Sequence, residues 1–106
     1  MSATQRIRAQ LAAHPVVLFM KGTPEYPMCG CSERAVRALE TCGRPFHAVN
    51  ILADPEIRAQ LPRHSNWPTF PQLFIGGELI GGSDITVELH QQGELQQMVA
   101  EAVKEA

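Results

Sequence analysis

Two cysteines two residues apart, Cys29 and Cys31, end a Pro/Gly-rich loop, Lys21 to Ser32, that reads KGTPEYPMCGCS. A cysteine at the first turn of a helix faces unpaired backbone N–H groups and the positive end of the helix dipole. Both favour the thiolate, the nucleophilic and metal-binding form. A helical pattern begins directly after Cys29, and Lys21 at the other end of the loop adds positive charge. Cys29 is therefore the leading functional residue, against the bland reading of an exposed but inert thiol. Side chains two apart on a helix point roughly 200° apart, so a Cys29–Cys31 disulfide requires opening the first turn. Cys31 is read first as a pocket-lining thiol and second as a resolving cysteine. Cys42 lies roughly 16 Å along the same helix, too far to bridge, and is assigned to packing.

Three other stretches could build a pocket around that sulfur. Trp67-Pro68-Thr69-Phe70-Pro71 is either a rigid turn or a corner with a cis peptide before Pro71 that exposes the backbone of Phe70 to an extended peptide ligand. Gly81-Gly82-Ser83-Asp84 is by default a turn and helix cap, with Ser83 and Asp84 as N-cap candidates. Its functional reading is a ligand site: glycine permits close approach, a helix start favours an anion, and Asp84 is free to hold an ammonium. Lys21 and Arg58 are surface charges unless the pocket recruits them to a carboxylate. His14, His47, His64 and His90 share no ligand spacing and are taken as structural or surface residues.

These stretches need a scaffold. Ser2 with Gln5 makes a capping box for a first helix through Ile7 and Leu11 that stops near His14-Pro15. Val16 to Met20 is a continuous apolar run, the mark of a central strand buried on both faces. Ala35, Leu39 and Cys42 give the helix after Cys29 its apolar stripe, ended by Gly43 and Pro45, and Phe46 to Ile51 reads as a second strand. Strand, helix, strand implies parallel pairing through a right-handed crossover. Asp54-Pro55 opens a third helix that Pro62 kinks or ends. Gln72 to Ile75 and Glu78 to Ile80 flank Gly76-Gly77 as an antiparallel hairpin. Helical patterns through Ile85 and Leu89, then Leu95 to Val103, follow on either side of Gly93. This order predicts an α/β domain, a four-stranded mixed sheet with helices on both faces, in the thioredoxin-like layout.

The 106 residues, 44% of them hydrophobic, suit one domain spanning 1–106. A net charge of -2 without a basic run offers nothing to nucleic acid or to an anionic membrane, and the longest apolar run is too short to span a bilayer. An odd cysteine count suits neither a disulfide framework nor paired zinc ligands, which points to a reducing, cytoplasmic setting.

Taken together, KGTPEYPMCGCS and SNWPTFPQLFIGGELIGGSD resemble the monothiol glutaredoxins of the CGFS type, and the resemblance covers nearly the whole chain. It implies the thioredoxin-like glutaredoxin fold, glutathione binding, and a 2Fe-2S cluster shared between two subunits of a homodimer. It also implies roles in cluster delivery and iron homeostasis, with iron-sulfur acceptor proteins and BolA-like proteins as partners. By position, Cys29 matches the cluster-ligating, glutathione-reactive cysteine. Lys21 and Arg58 match the holders of the glutathione glycine carboxylate. Thr69 and Phe70 precede the cis proline Pro71, and Gly82, Ser83 and Asp84 match the γ-glutamyl site. Two positions depart: Cys31 replaces the phenylalanine, and Ser83 stands where many members have cysteine. A cluster carrier is the leading expectation. The rival is a glutathione-dependent thiol-disulfide oxidoreductase in which Cys29 attacks a mixed disulfide. Metal storage through the C-x-C pair comes third, because no histidine or acidic residue lies near enough in sequence to complete a site.

Overall fold

The computed structural model describes residues 1–105. Its elements run α1 (Ala3–Ala13), β1 (Val16–Met20), α2 (Gly30–Glu40), β2 (His47–Asn50), α3 (Pro55–Ser65), β3 (Gln72–Ile75), β4 (Glu78–Gly81), α4 (Ser83–Gln91) and α5 (Glu94–Glu105). The strands form one sheet in the order β2-β1-β3-β4. β1 pairs in parallel with β2, Leu18 opposite Ala48, and antiparallel with β3, Leu18 opposite Leu73. This is the mixed four-stranded, thioredoxin-like arrangement expected from the element order.

All five residues of β1 are buried, and its alternation splits the core. Val16, Leu18 and Met20 pack with Val36 and Leu39 of α2 and with Leu95 and Val99 of α5. Val17 and Phe19 face the other way, to Ile7 of α1, Ile57 and Leu61 of α3, and Phe74. Phe19 and Phe74 meet edge to face at 5.6 Å, an arrangement aromatic quadrupoles favour. The strand from which the cysteine loop departs is thus held on both faces and both edges.

The local signals mostly act as read. Ser2 Oγ accepts from the Gln5 N–H, and Gln5 Oε1 accepts from the Ser2 N–H, closing the capping box. Gly76 and Gly77 both take positive φ, as a two-residue hairpin turn requires. Three details differ. Phe46 and Ile51 flank β2 without belonging to it. Pro62 does not end α3, which runs on to Ser65 and stops at left-handed Asn66. Leu61, beside the proline, is fully buried, so packing outweighs the lost helical hydrogen bond. Neither Ser83 nor Asp84 caps α4; Gly82 is the N-cap and makes no side-chain bond. The Ser83 hydroxyl is engaged instead by Arg34 of α2.

Asp54 joins two elements at once. Its Oδ1 accepts from the Ile57 N–H at 3.2 Å, capping α3, and its carboxylate takes a two-point contact from Arg6 of α1, 2.9 Å to Nη2 and 3.2 Å to Nε. The Arg6 guanidinium holds the Asp54 carboxyl below its ordinary pKa. A carboxylate depressed in the fold adds stability at all pH values above its unfolded pKa, and that stability is lost as pH falls through the depressed value. Asp54→Ala should therefore lower stability near neutral pH by about 1 kcal/mol through the lost cap, in urea unfolding, with the difference shrinking at acid pH. Asp54→Asn, which keeps an acceptor for Ile57, should lose less.

Candidate functional site

The loop leaving β1 closes on itself. The Met28 N–H donates to the Lys21 carbonyl at 2.8 Å, Thr23 and Tyr26 exchange backbone bonds, and Gly22 bridges to Pro27. Gly22 has φ 94°, and a Cβ there would run into the Tyr26 carbonyl oxygen and Met28, so glycine is required. Asn50 Oδ1, at the end of β2, accepts from the Gly22 and Leu52 N–H groups at 2.9 and 3.0 Å. The ring leaves Tyr26 78% and Met28 65% exposed beside the cysteine.

Cys29 is the N-cap of α2. Its Sγ accepts from the Ser32 N–H at 3.3 Å and lies 3.3 Å from the Ser32 hydroxyl. That hydroxyl is completely buried and also accepts from the Lys21 N–H at 3.1 Å. Burial pushes the Cys29 thiol up. The Ser32 hydroxyl and N–H, the Lys21 charge and the Cys31 N–H together outweigh burial and bring it below the ordinary thiol value. Cys42 is the contrast: half-buried, packed against the core, its thiol raised by burial.

At the ends of the loop, by Lys21 and Cys31, opens a cavity of ≈ 600 Å³. Its walls bring together Lys21, Arg58, Thr69, Phe70, Pro71, Gly82, Ser83 and Asp84, with Arg34 among them. Cys29 lies off the wall, whereas Cys31 lines it. The Phe70–Pro71 peptide is cis. Fully buried Gln72 braces this corner, its Nε2 donating to the carbonyls of Trp67 and Thr69 at 2.9 and 3.2 Å. Among the described residues, neither the N–H nor the C=O of Phe70 is paired within the chain, leaving both to a ligand.

Arg34 was not legible as a site residue. Its Nη2 donates to Ser83 Oγ at 3.0 Å and Asp84 Oδ1 at 3.1 Å, and lies 4.0 Å from Cys31 Sγ. Asp84, expected from the sequence to be open to an ammonium, is thus paired with Arg34, though its side chain stays exposed. The available signal was spacing: Arg34 is three residues from Cys31 and shares its helix face. Asn50 carries no motif, and Ser32, although it closes the KGTPEYPMCGCS stretch, shows its role only once strand, loop and helix meet. The histidines serve structure, His14 stacking on His47 at 3.8 Å and His90 contacting the Thr41 hydroxyl at 2.6 Å. Among the described residues, no three or more His, Cys, Asp or Glu side chains gather where they could hold a metal ion.

A sequence model of the family described as Glutaredoxin matches residues 16–80, more than half of the chain. The chain belongs to the glutaredoxin family. "Glutaredoxin 4" of Escherichia coli K12 is 54% identical over 102 residues, covering 95% of this glutaredoxin and 89% of that relative. The solution structure of reduced poplar apo GrxS14 superposes with a TM-score of 0.81 at 47% identity, covering 94% and 92% of the two chains. The crystal structure of a buckwheat glutaredoxin–glutathione complex superposes with a TM-score of 0.82 at 28% identity, covering 94% and 89%. These likenesses bear out the monothiol, CGFS-type resemblance, with Cys31 standing within the motif of this glutaredoxin.

The Ser32 contacts make a direct test. In a Cys31→Ser, Cys42→Ser background, the pH profile of Cys29 alkylation should have its midpoint below that of an ordinary thiol. Ser32→Ala should move the midpoint up, because it removes a donor to the thiolate, and should slow alkylation at neutral pH. An unchanged midpoint would show that the helix start and Lys21 suffice.

Proposed function

We propose that this glutaredoxin binds glutathione in the cavity beside Cys29 and, as a homodimer, carries a 2Fe-2S cluster for delivery to acceptor proteins. The observation that carries this reading is the lowered Cys29 thiol, two residues from Cys31 on the wall of a cavity that also holds Lys21, Arg58 and the Arg34–Asp84 pair. Glutathione has matching groups. Its glycine carboxylate suits Lys21 and Arg58, its cysteinyl amide suits the Phe70 backbone beside Thr69 and Pro71, and its γ-glutamyl head suits Gly82, Ser83 and Asp84. The glutathione in the buckwheat complex supports the choice of ligand.

The cluster argument rests on donor count. A 2Fe-2S cluster takes four ligands, usually thiolates. One chain offers Cys29 at a helix start and gathers no further metal-binding set among the described residues. Two chains with two glutathione thiols complete the four. The exposed Tyr26 and Met28 give apolar surface for the second subunit beside the sulfur. In this reading the cluster is cargo, supplied to iron-sulfur acceptors or shared with a BolA-like protein, and serves iron homeostasis in a cytoplasm reducing enough to keep the three cysteines free.

The lowered Cys29 thiol also favours a second reading, a glutathione-dependent oxidoreductase. Cys29 thiolate would attack the glutathione sulfur of a mixed disulfide, releasing the substrate thiolate. A second glutathione, or Cys31, would then resolve the Cys29–glutathione disulfide.

Anaerobic reconstitution with iron, sulfide and glutathione should give a coloured dimer from wild type and from Cys31→Ser, and a colourless monomer from Cys29→Ser. Omitting glutathione should prevent it in both of the first two proteins, because Cys31 faces Arg34 and the cavity rather than completing a ligand set. A stable cluster without added thiol would assign Cys31 as a ligand instead. Lys21→Ala or Arg58→Ala should weaken glutathione binding about tenfold in calorimetric titration, the worth of one charge-assisted hydrogen bond.

A further inference from the structure

Arg34 is the one cation of the cavity that the glutathione reading leaves without a task. Its side chain is 57% exposed, its partner Asp84 94% exposed, and such a pair in water holds together weakly. Its other partner differs. Ser83 is 6% exposed, fixed at the first turn of α4, and its hydroxyl accepts from the guanidinium at 3.0 Å. The guanidinium is therefore anchored at Ser83 while its bond to Asp84 can be exchanged.

We infer that Arg34 is a specificity-determining residue that reads the α-carboxylate of an α-amino-acid head group entering between Arg34 and Asp84. This rests on the glutathione reading above. The head group of a γ-glutamyl peptide carries a carboxylate and an ammonium on one carbon. Inserted between the two side chains, it replaces one exposed ion pair by two, Arg34 to carboxylate and ammonium to Asp84. The exchange leaves the net charge of the subsite unchanged. The planar guanidinium offers several donors, so it can keep Ser83 on one edge and take a carboxylate on another. Cys31 Sγ, 4.0 Å away, is too distant to compete strongly. A peptide with only its C-terminal carboxylate would satisfy Lys21 and Arg58 and leave Arg34 on Asp84.

Calorimetric titration of wild type, Arg34→Gln, Arg34→Lys and Lys21→Met with two ligands tests this. One ligand is glutathione. The other is γ-aminobutyryl-cysteinyl-glycine, which lacks only the α-carboxylate. Wild type should prefer glutathione by about tenfold, the effect of one charge-assisted bond. Arg34→Gln should lose most of that preference by weakening glutathione alone, and Arg34→Lys should retain part of it. Lys21→Met should weaken both ligands and keep the preference. An Arg34→Gln protein with the wild-type preference overturns the inference, as does a wild type that binds both ligands equally; in either case the glutathione reading stands. A wild type that binds neither ligand removes both.

Discussion

One buried hydroxyl connects the scaffold to the reactive sulfur. Ser32 Oγ accepts the Lys21 N–H where the chain leaves β1 and lies 3.3 Å from Cys29 Sγ, so once the thiol ionises the hydroxyl's single proton can turn to the sulfur. The bond works because both ends are held. β1 is buried along its length and paired on both edges, while Ala35, Val36 and Leu39 seat α2 against the same side of the sheet. The position of the thiol is set by core packing several residues away. A shift of α2 along the sheet would break the contact and return Cys29 to the competing effect, burial, which favours the neutral thiol.

The cavity distributes charge in a chain whose overall balance is only -2. Lys21 and Arg58 line it as cations without a carboxylate partner among the salt bridges of the described residues, while Arg34 with Asp84 forms a self-compensated pair. A lining of that kind is complementary to a peptide that carries an unpaired carboxylate as well as a zwitterionic group. The backbone of Phe70, left unpaired by the corner that Gln72 braces, lies on the same wall.

Local signals made the fold legible. Val16 to Met20 is apolar at every position because both faces are covered; Gly76-Gly77 marks a hairpin because both residues need positive φ; Asp54-Pro55 starts a helix because one caps and the other is preset for the first turn. The cavity's lining was legible where its pieces are contiguous motifs, as at Lys21, Thr69 to Pro71 and Gly82 to Asp84. Arg34, Ser32 and Asn50 were not, because each acts on a partner from another element. The misassigned caps at Ser83 and Asp84 have the same origin: both residue types suit an N-cap, but Arg34, 49 residues from Ser83 in sequence, claims their side chains. The end of α3 was misjudged because proline's local cost was weighed without Leu61, whose burial secures the turn around it.

Asn50 binds the carboxyl ends of β1 and β2 together through a single oxygen that accepts from Gly22 and Leu52. An aspartate of the same shape could accept both bonds. It would also bring a full negative charge to the base of the loop, where it would draw on Lys21 and oppose ionisation of the thiol. Choosing an amide separates two tasks that a carboxylate would merge: the joint is tied by a neutral acceptor, and the charge of Lys21 remains available to the sulfur and to the ligand.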